Sequence, residues 1–98
     1  MDKEIIHKAY ILFLSGIKDE NGIVRANDNN QIIGIKFLNN SSKDYIVYGY
    51  YKSGQIRYHY QYKNGKCHGD YIEYYDNGQI KCHYQYKNGE LIAQRFNP

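Results

Sequence analysis

Two Cys-His pairs are the residues of this chain that most directly suggest metal chemistry. They are Cys67-His68 and Cys82-His83, and two cysteines with two histidines are a permitted ligand set for structural zinc. Adjacent residues of a strand point to opposite faces, so Cys82 and His83 would not converge on one ion. The separation between the pairs is not that of a zinc finger either. We therefore expect no metal site, no cofactor and no disulfide between the two cysteines.

A second group of residues combines positive charge with nearby tyrosines. Arg57, Lys63, Lys81 and Lys87 would form a cationic strip of the kind that binds nucleic acid or lipid headgroups. The net charge is only +3, from 13 basic and 10 acidic residues, which favours a solvated sheet face. We expect no nucleic-acid partner, and we keep a peripheral membrane module that uses this basic face as the alternative function.

Tyrosine is the third candidate, because the chain has 13 tyrosines and no tryptophan. Their rings can pack within a sheet or offer a platform on which a sugar or a peptide stacks. No Ser/His/Asp set, paired carboxylates or glycine-rich phosphate loop accompanies them, so we do not expect an enzyme. The candidate binding residues are Tyr58, Tyr60, Tyr62, Tyr74, Tyr84 and Tyr86.

These residues belong to a duplication that organises the chain. Residues 51–66 return as residues 75–90 with a constant offset and no gap. A fixed period of this size is typical of repeat arrays, in which each unit packs only against its neighbours. A fainter copy precedes them, so we predict a single repeat domain, residues 1–98, with units 27–50, 51–74 and 75–98. Residues 1–26 are expected to be an N-terminal cap or a decayed unit.

Turn signals divide each unit into two strands. Ser53-Gly54, Asn64-Gly65, Asn77-Gly78 and Asn88-Gly89 favour tight hairpin turns, because glycine adopts positive φ at little cost. The segments between them suit strands of about six residues. The expected fold is all-β, with scope for a short N-terminal helix: an elongated antiparallel up-and-down meander of β-hairpins in one twisted sheet.

The register depends on the loop that contains Asn77-Gly78. A two-residue loop places Glu73 opposite Cys82, whereas a three-residue loop, residues 76–78, places Glu73 opposite Lys81 and Tyr74 opposite Ile80. We predict the three-residue loop, because it pairs acid with base and apolar with apolar. The same loop at residues 63–65 would place Ile56 opposite Ile72.

This register predicts one tyrosine-lined face and one polar face. The first would carry Ile56, Tyr58, Tyr60, Tyr62, Ile72, Tyr74, Ile80, Cys82, Tyr84 and Tyr86. The second would carry Arg57, His59, Gln61, Lys63, Glu73, Lys81, His83, Gln85 and Lys87. An open aromatic face gains free energy by being covered, at roughly 25 cal/mol per Å². We therefore expect a protein partner, a second copy above all, bound through this face or through the open edge strands.

The N-terminal segment fits two patterns. Ile6, Ala9 and Phe13 fall at helical spacing, with Asp2 as a possible cap, while residues 9–14 also alternate as a strand would. We predict a helix over 2–9, a strand over 9–14, a turn at 19–22 and a strand at 23–25. Residues 1–14 are too few to cover several strands.

Two cysteines without a secretory signal indicate a reducing compartment, and we expect a cytoplasmic protein. No apolar run is long enough to span a bilayer.

Residues 48–90 resemble MORN (membrane occupation and recognition nexus) repeats, and residues 27–47 do so faintly. The matching segments are 62–69, 74–80 and 86–89, which resemble the Tyr-Tyr-x-Asn-Gly variant found in antitoxin-like bacterial proteins. The resemblance implies an elongated sheet of hairpins and a non-catalytic scaffold or protein-binding role, with phosphoinositide or membrane contact in some arrays. The last unit departs from the pattern at residues 90–93, which suits a capping end.

Overall fold

The computed structural model describes residues 3–96, and within them one helix precedes a single seven-stranded sheet. The elements are α1 (Lys3–Leu14), β1 (Ile23–Asp28), β2 (Gln31–Phe37), β3 (Tyr45–Tyr50), β4 (Ile56–Lys63), β5 (Lys66–Tyr74), β6 (Ile80–Lys87) and β7 (Glu90–Phe96). Each strand pairs antiparallel with the next, so the spatial order is the chain order. The predicted antiparallel meander is confirmed. The sheet is not closed, and β1 and β7 are its edges.

Three of the described turns are two-residue loops, at 29–30, 64–65 and 88–89. Asn64 and Gly65 have φ angles of 53° and 76°, and Asn88 and Gly89 have 51° and 87°. Positive φ at both central residues is the type I′ geometry, whose twist matches that of the flanking strands. Lys63 therefore pairs directly with Lys66. The three-residue loop predicted at 63–65 is wrong, because the asparagine adopts the left-handed conformation together with the glycine.

The other repeated turn spans residues 51–55 and again 75–79. The Tyr75 N–H donates to the Gln79 carbonyl at 2.8 Å, as Tyr51 does to Gln55 at 2.8 Å. Within the second loop, the Gln79 N–H also donates to Asn77 Oδ1 at 2.9 Å. The Gly78 N–H donates to the Tyr75 carbonyl at 2.9 Å, and Gly78 has a φ of 88°. Tyr75 and Gln79 thus flank the three-residue loop predicted at 76–78, which is confirmed together with its left-handed glycine.

A β-bulge follows each of these turns and changes the predicted register. Tyr74 pairs with Ile80 as predicted, but Glu73 pairs with Cys82, so Lys81 is an additional residue without a partner. Arg57 is the equivalent additional residue in β4. In the pairing of β4 with β5, Ile72 lies opposite His59 and not opposite Ile56 as predicted. A bulge interrupts the strict alternation of side chains.

The two predicted faces are corrected accordingly. Residues directly opposite each other in an antiparallel pair share a face. Glu73 pairs with Tyr58 and so lies on the tyrosine side, whereas Ile72 pairs with His59. Four apolar residues predicted for the tyrosine side lie on the histidine side instead: Ile56, Ile72, Tyr74 and Ile80.

Helix α1 extends to Leu14, so the strand predicted over 9–14 is wrong. The helix packs across the sheet along its length. Ile6 and Ala9 are buried, and the centre of the Phe13 ring lies 5.4 Å from that of Phe37. Residues at this spacing lie on one face of the helix, and that face is buried against the sheet. The proposed cap, Asp2, lies outside the described residues.

The core lies between α1 and the first three strands. It consists of eight buried residues: Ile6, Ala9, Val24, Ile33, Ile35, Phe37, Tyr45 and Val47. Full burial of a Val, Ile or Phe side chain stabilises the fold by roughly 1.5–3 kcal/mol. The N-terminal segment thus covers β1–β3, which is more than we expected from its length, and leaves the same face of β4–β6 open.

Candidate functional site

A row of aromatic rings continues the core onto the uncovered half of the sheet. Tyr45, at the edge of the core, stacks on Tyr62 with ring centres 5.1 Å apart and an interplanar angle of 11°. The next contact joins Tyr62 to Tyr60 at 5.7 Å. Tyr60 then stacks on Tyr71 at 5.4 Å and 13°, and Tyr71 lies 6.1 Å from Tyr84. The rings therefore form one connected surface across β3–β6.

We call this surface the tyrosine face. Its members are the six half-buried tyrosines that lie on the same side of the sheet as α1 but beyond its reach: Tyr58, Tyr60, Tyr62, Tyr71, Tyr84 and Tyr86. A shallow concavity of about 510 Å³ opens between them and Cys67. The face combines ring surface, which gains free energy on burial, with hydroxyl groups that must find partners there.

Burial raises the pKa of tyrosine hydroxyl groups at the centre and at the border of this face. Burial raises the pKa of Tyr60, and the neighbouring phenols Tyr58 and Tyr62 raise it further. Burial likewise raises the pKa of Tyr45 to about 12. At neutral pH these groups are therefore O–H donors and acceptors without charge. Such a surface suits a partner that brings backbone carbonyls and apolar side chains.

The first ring of the face depends on a glycine in the neighbouring strand. Gly49 pairs with Tyr58, and the Tyr58 ring occupies the space where a side chain at residue 49 would lie. Tyr58 can therefore lie flat and stack on Tyr60 at 6.0 Å and 17°, and on Tyr71 at 6.4 Å and 4°. Gly49 is thus a positioning residue for the tyrosine face.

Five of the six predicted tyrosines come together on this face, and Tyr74 does not. The bulge at Lys81 and the pairing of Ile72 with His59 place Tyr74 on the other side, where its hydroxyl lies 3.0 Å from His59 Nε2. The member that the sequence analysis missed is Tyr71. A signal was present, because Tyr71 is the repeat equivalent of Val47, which is buried in the core.

The opposite side of the sheet carries a hydrogen-bonded polar row that we call the histidine face: His59, Asp70, Tyr74, His83 and Gln85. His83 Nε2 lies 2.8 Å from Asp70 Oδ1, and the same oxygen accepts a bond from Gln85 Nε2 at 3.2 Å. These bonds, that of His83 first, lower the pKa of Asp70. Burial lowers the pKa of His59. The row thus consists of two hydrogen-bonded groups, His59 with Tyr74 and Asp70 with His83 and Gln85, and Gln85 Oε1 also accepts the Arg95 Nε–H at 2.8 Å.

The four basic residues predicted to form a strip are divided between the two ends of the sheet. Arg57 and Lys81 lie at the bulges, while Lys63 and Lys87 precede the type I′ turns, about 20 Å away along the strands. Lys81 Nζ also pairs with Glu73 at 3.2 Å. The arrangement is therefore two separate pairs of cations.

The two cysteines are half-buried free thiols in neighbouring strands, Cys67 in β5 and Cys82 in β6. Cys67 pairs with Tyr62 in β4, and Cys82 pairs with Glu73 in β5. Within residues 3–96, no group of three or more His, Cys, Asp or Glu side chains is placed to hold a metal ion. In the same part of the chain, no helix has the length and apolar character needed to cross a bilayer.

No protein-family model, curated protein or solved structure matches this chain.

Proposed function

We propose that this chain is a non-catalytic, MORN-like binding module that associates with a second copy of itself through the tyrosine face. The observation that carries the proposal is that one side of the sheet is half covered. α1 buries β1–β3, and the same side continues over β4–β6 as connected rings that the described residues leave open.

The charge and pKa of the face support a protein partner. The phenols are neutral, so their own burial against another polypeptide carries no cost of desolvating a charge. Glu73, which lies on the same side, is already paired with Lys81 at 3.2 Å. Tyrosine is also enriched at protein interfaces, because its ring is buried while its hydroxyl still finds a partner. A two-fold axis would bring the same patch of two copies together, and this is the commonest symmetry of soluble oligomers.

The area of the tyrosine face limits the affinity that we expect for the dimer. Strands of about seven residues span roughly 23 Å, and three strands at about 4.8 Å span roughly 14 Å, so the face projects about 330 Å². Standard interfaces bury about 800 Å² per partner. We therefore expect a weak dimer with a dissociation constant in the micromolar range.

The free edge of β7 is the less suitable surface for association. The pairing of β6 with β7 shifts register twice, between His83 and Tyr84 and between Gln85 and Tyr86. Bulges twist an edge strand and hinder pairing with another sheet. The membrane alternative rests on four cations that the fold separates into two pairs, and it provides no continuous cationic strip.

Sedimentation velocity over about 1 to 200 μM protein tests the proposal. We expect the wild-type chain to shift from monomer to dimer in this range and Tyr71→Lys to remain monomeric. Tyr75→Lys is the matched control, since Tyr75 is exposed at 41% and lies in a loop outside the face; this variant should dimerise as the wild type does. A wild-type chain that stays monomeric throughout would contradict the proposal, as would equal dimerisation of Tyr71→Lys.

A further inference from the structure

A groove separates the first turns of α1 from the hairpin of β4 and β5. Its volume is about 630 Å³, within the range of roughly 300–1,000 Å³ that small binding sites occupy. Its floor consists of Ile6, Tyr45 and Tyr62, and its rim carries Lys3, Lys43 and Lys66, with His7 beside them. The groove is therefore apolar at the bottom and cationic at the top.

The walls of the groove are fixed by contacts between distant parts of the chain. The Asn64 N–H donates to Asp44 Oδ1 at 2.8 Å, and the Gly65 N–H donates to the Lys43 carbonyl at 3.0 Å. These bonds tie the type I′ turn to the segment before β3. On the floor, Tyr45 is buried and its ring stacks on Tyr62. A groove built in this way needs little reorganisation when it binds a partner.

Among the described residues, none of the three rim lysines forms a salt bridge. The ion pairs of residues 3–96 lie elsewhere, as between Lys8 and Glu4 and between Lys81 and Glu73. No carboxylate lines the groove. Two of the described acids adjoin rim lysines in sequence. Glu4 pairs with Lys8 at 3.4 Å. Asp44 accepts the Asn64 N–H and keeps its single charge, which the three lysines outnumber. Three lysines on one rim therefore form a local positive field that favours an anionic partner.

We propose that this groove binds an acidic peptide segment of another protein. One apolar or aromatic side chain of the peptide would lie on the floor, between Ile6 and the Tyr45–Tyr62 stack, while its carboxylates pair with the three lysines. Three cations around a confined apolar floor match a short peptide, because the polyphosphate of a nucleic acid follows an extended basic track. The proposal does not depend on self-association, although Tyr62 borders both surfaces.

Fluorescence anisotropy with two labelled octapeptides tests this site. The probe carries Leu-Phe between glutamate and aspartate flanks, and the control carries glutamine and asparagine in place of those acids. We expect the acidic peptide to bind at least about 10-fold more tightly than its amide control, and to weaken as salt rises from about 50 to 200 mM.

Variants locate the binding. Lys43→Glu and Lys66→Glu should each weaken the acidic peptide by roughly 3- to 10-fold. Lys52→Glu makes the same charge change in the exposed loop 51–55 and should leave the affinity unchanged. All three side chains are exposed, and unchanged far-UV circular dichroism confirms that the variants fold.

Four results would overturn the proposal. They are the absence of binding by the acidic peptide, equal binding by the amide control, an equal loss in Lys52→Glu, and tighter binding of phosphatidylserine vesicles or of an oligouridylate than of the peptide. Tyr84→Lys lies outside the groove and separates the two surfaces: it should weaken self-association while peptide binding persists.

Discussion

Gly49→Ala is the substitution that most directly tests how the tyrosine face is built. A methyl group at residue 49 would lie 2.1 Å from Cε2 and 2.2 Å from Cζ of Tyr58. Carbon atoms in contact normally lie about 3.5–4.0 Å apart. The φ of Gly49 is not in the left-handed region, since this residue is absent from the positive-φ glycines. Alanine at residue 49 therefore does not strain the backbone, and any loss of stability comes from the clash with the Tyr58 ring.

The cost follows from the contacts that the ring must give up. To clear the methyl group, the Tyr58 ring must move by about 1.5 Å, which disturbs its stacking on Tyr60 and Tyr71. Each aromatic pair contributes about 0.5–1.5 kcal/mol, and overpacking typically costs about 1–3 kcal/mol. Alanine regains about 0.5–1 kcal/mol over glycine in a strand. We expect Gly49→Ala to lower the free energy of unfolding by about 2 kcal/mol.

A double-mutant cycle separates this clash from any other effect of the methyl group. In a Tyr58→Ala background the ring is absent, so Gly49→Ala should be neutral or stabilising by about 0.5–1 kcal/mol. The assay is urea unfolding followed by far-UV circular dichroism for the four proteins, at a concentration below that of self-association. An equal loss of stability in both backgrounds would refute the reasoning, and so would an unchanged midpoint for Gly49→Ala alone.

Three further predictions concern the core and the histidine face. Ile35→Ala should cost roughly 2–5 kcal/mol by urea unfolding, because Ile35 is 0% exposed, whereas Ile32→Ala should cost far less at 56% exposure. Burial lowers the pKa of His59 from 6.5, so the unfolded chain binds the proton more readily, and stability should fall as pH drops below about 6.5. His59→Gln should flatten this slope in urea midpoints measured between about pH 7 and 5, and a slope equal to that of the wild type would contradict the assignment. The hydrogen bond with His83 lowers the pKa of Asp70 from 3.8, so the stabilisation by the Asp70 carboxylate is present above pH 3.8 and is lost as pH falls through the lower folded pKa. Asp70→Asn should lower the urea midpoint at neutral pH and make the midpoint depend less on acid pH. A pH profile equal to that of the wild type would count against this bond.

The tyrosine face shows where sequence reasoning succeeded and where it stopped. The even period placed Tyr58, Tyr60, Tyr84 and Tyr86 on one side, and they lie together as predicted. Tyr74 was misplaced because the two-residue loop at 64–65 changes the predicted pairing of β4 with β5, and the bulge at Lys81 changes that of β5 with β6. Bulges are local irregularities that alternation alone does not reveal. Tyr71 was overlooked for the same reason, since the predicted register turned it away from the rings.

The amino-acid sequence by itself determined the meander, its repeat and the position of its turns, because Asn-Gly and Ser-Gly pairs act through local backbone preferences. Tertiary structure decided the rest. Residues 9–14 became helix only because β1–β3 supply an apolar surface for Ala9 and Phe13. The division into a covered core and an open tyrosine face likewise arises where α1 ends on the sheet. That boundary depends on contacts between segments distant in sequence, which no local pattern encodes.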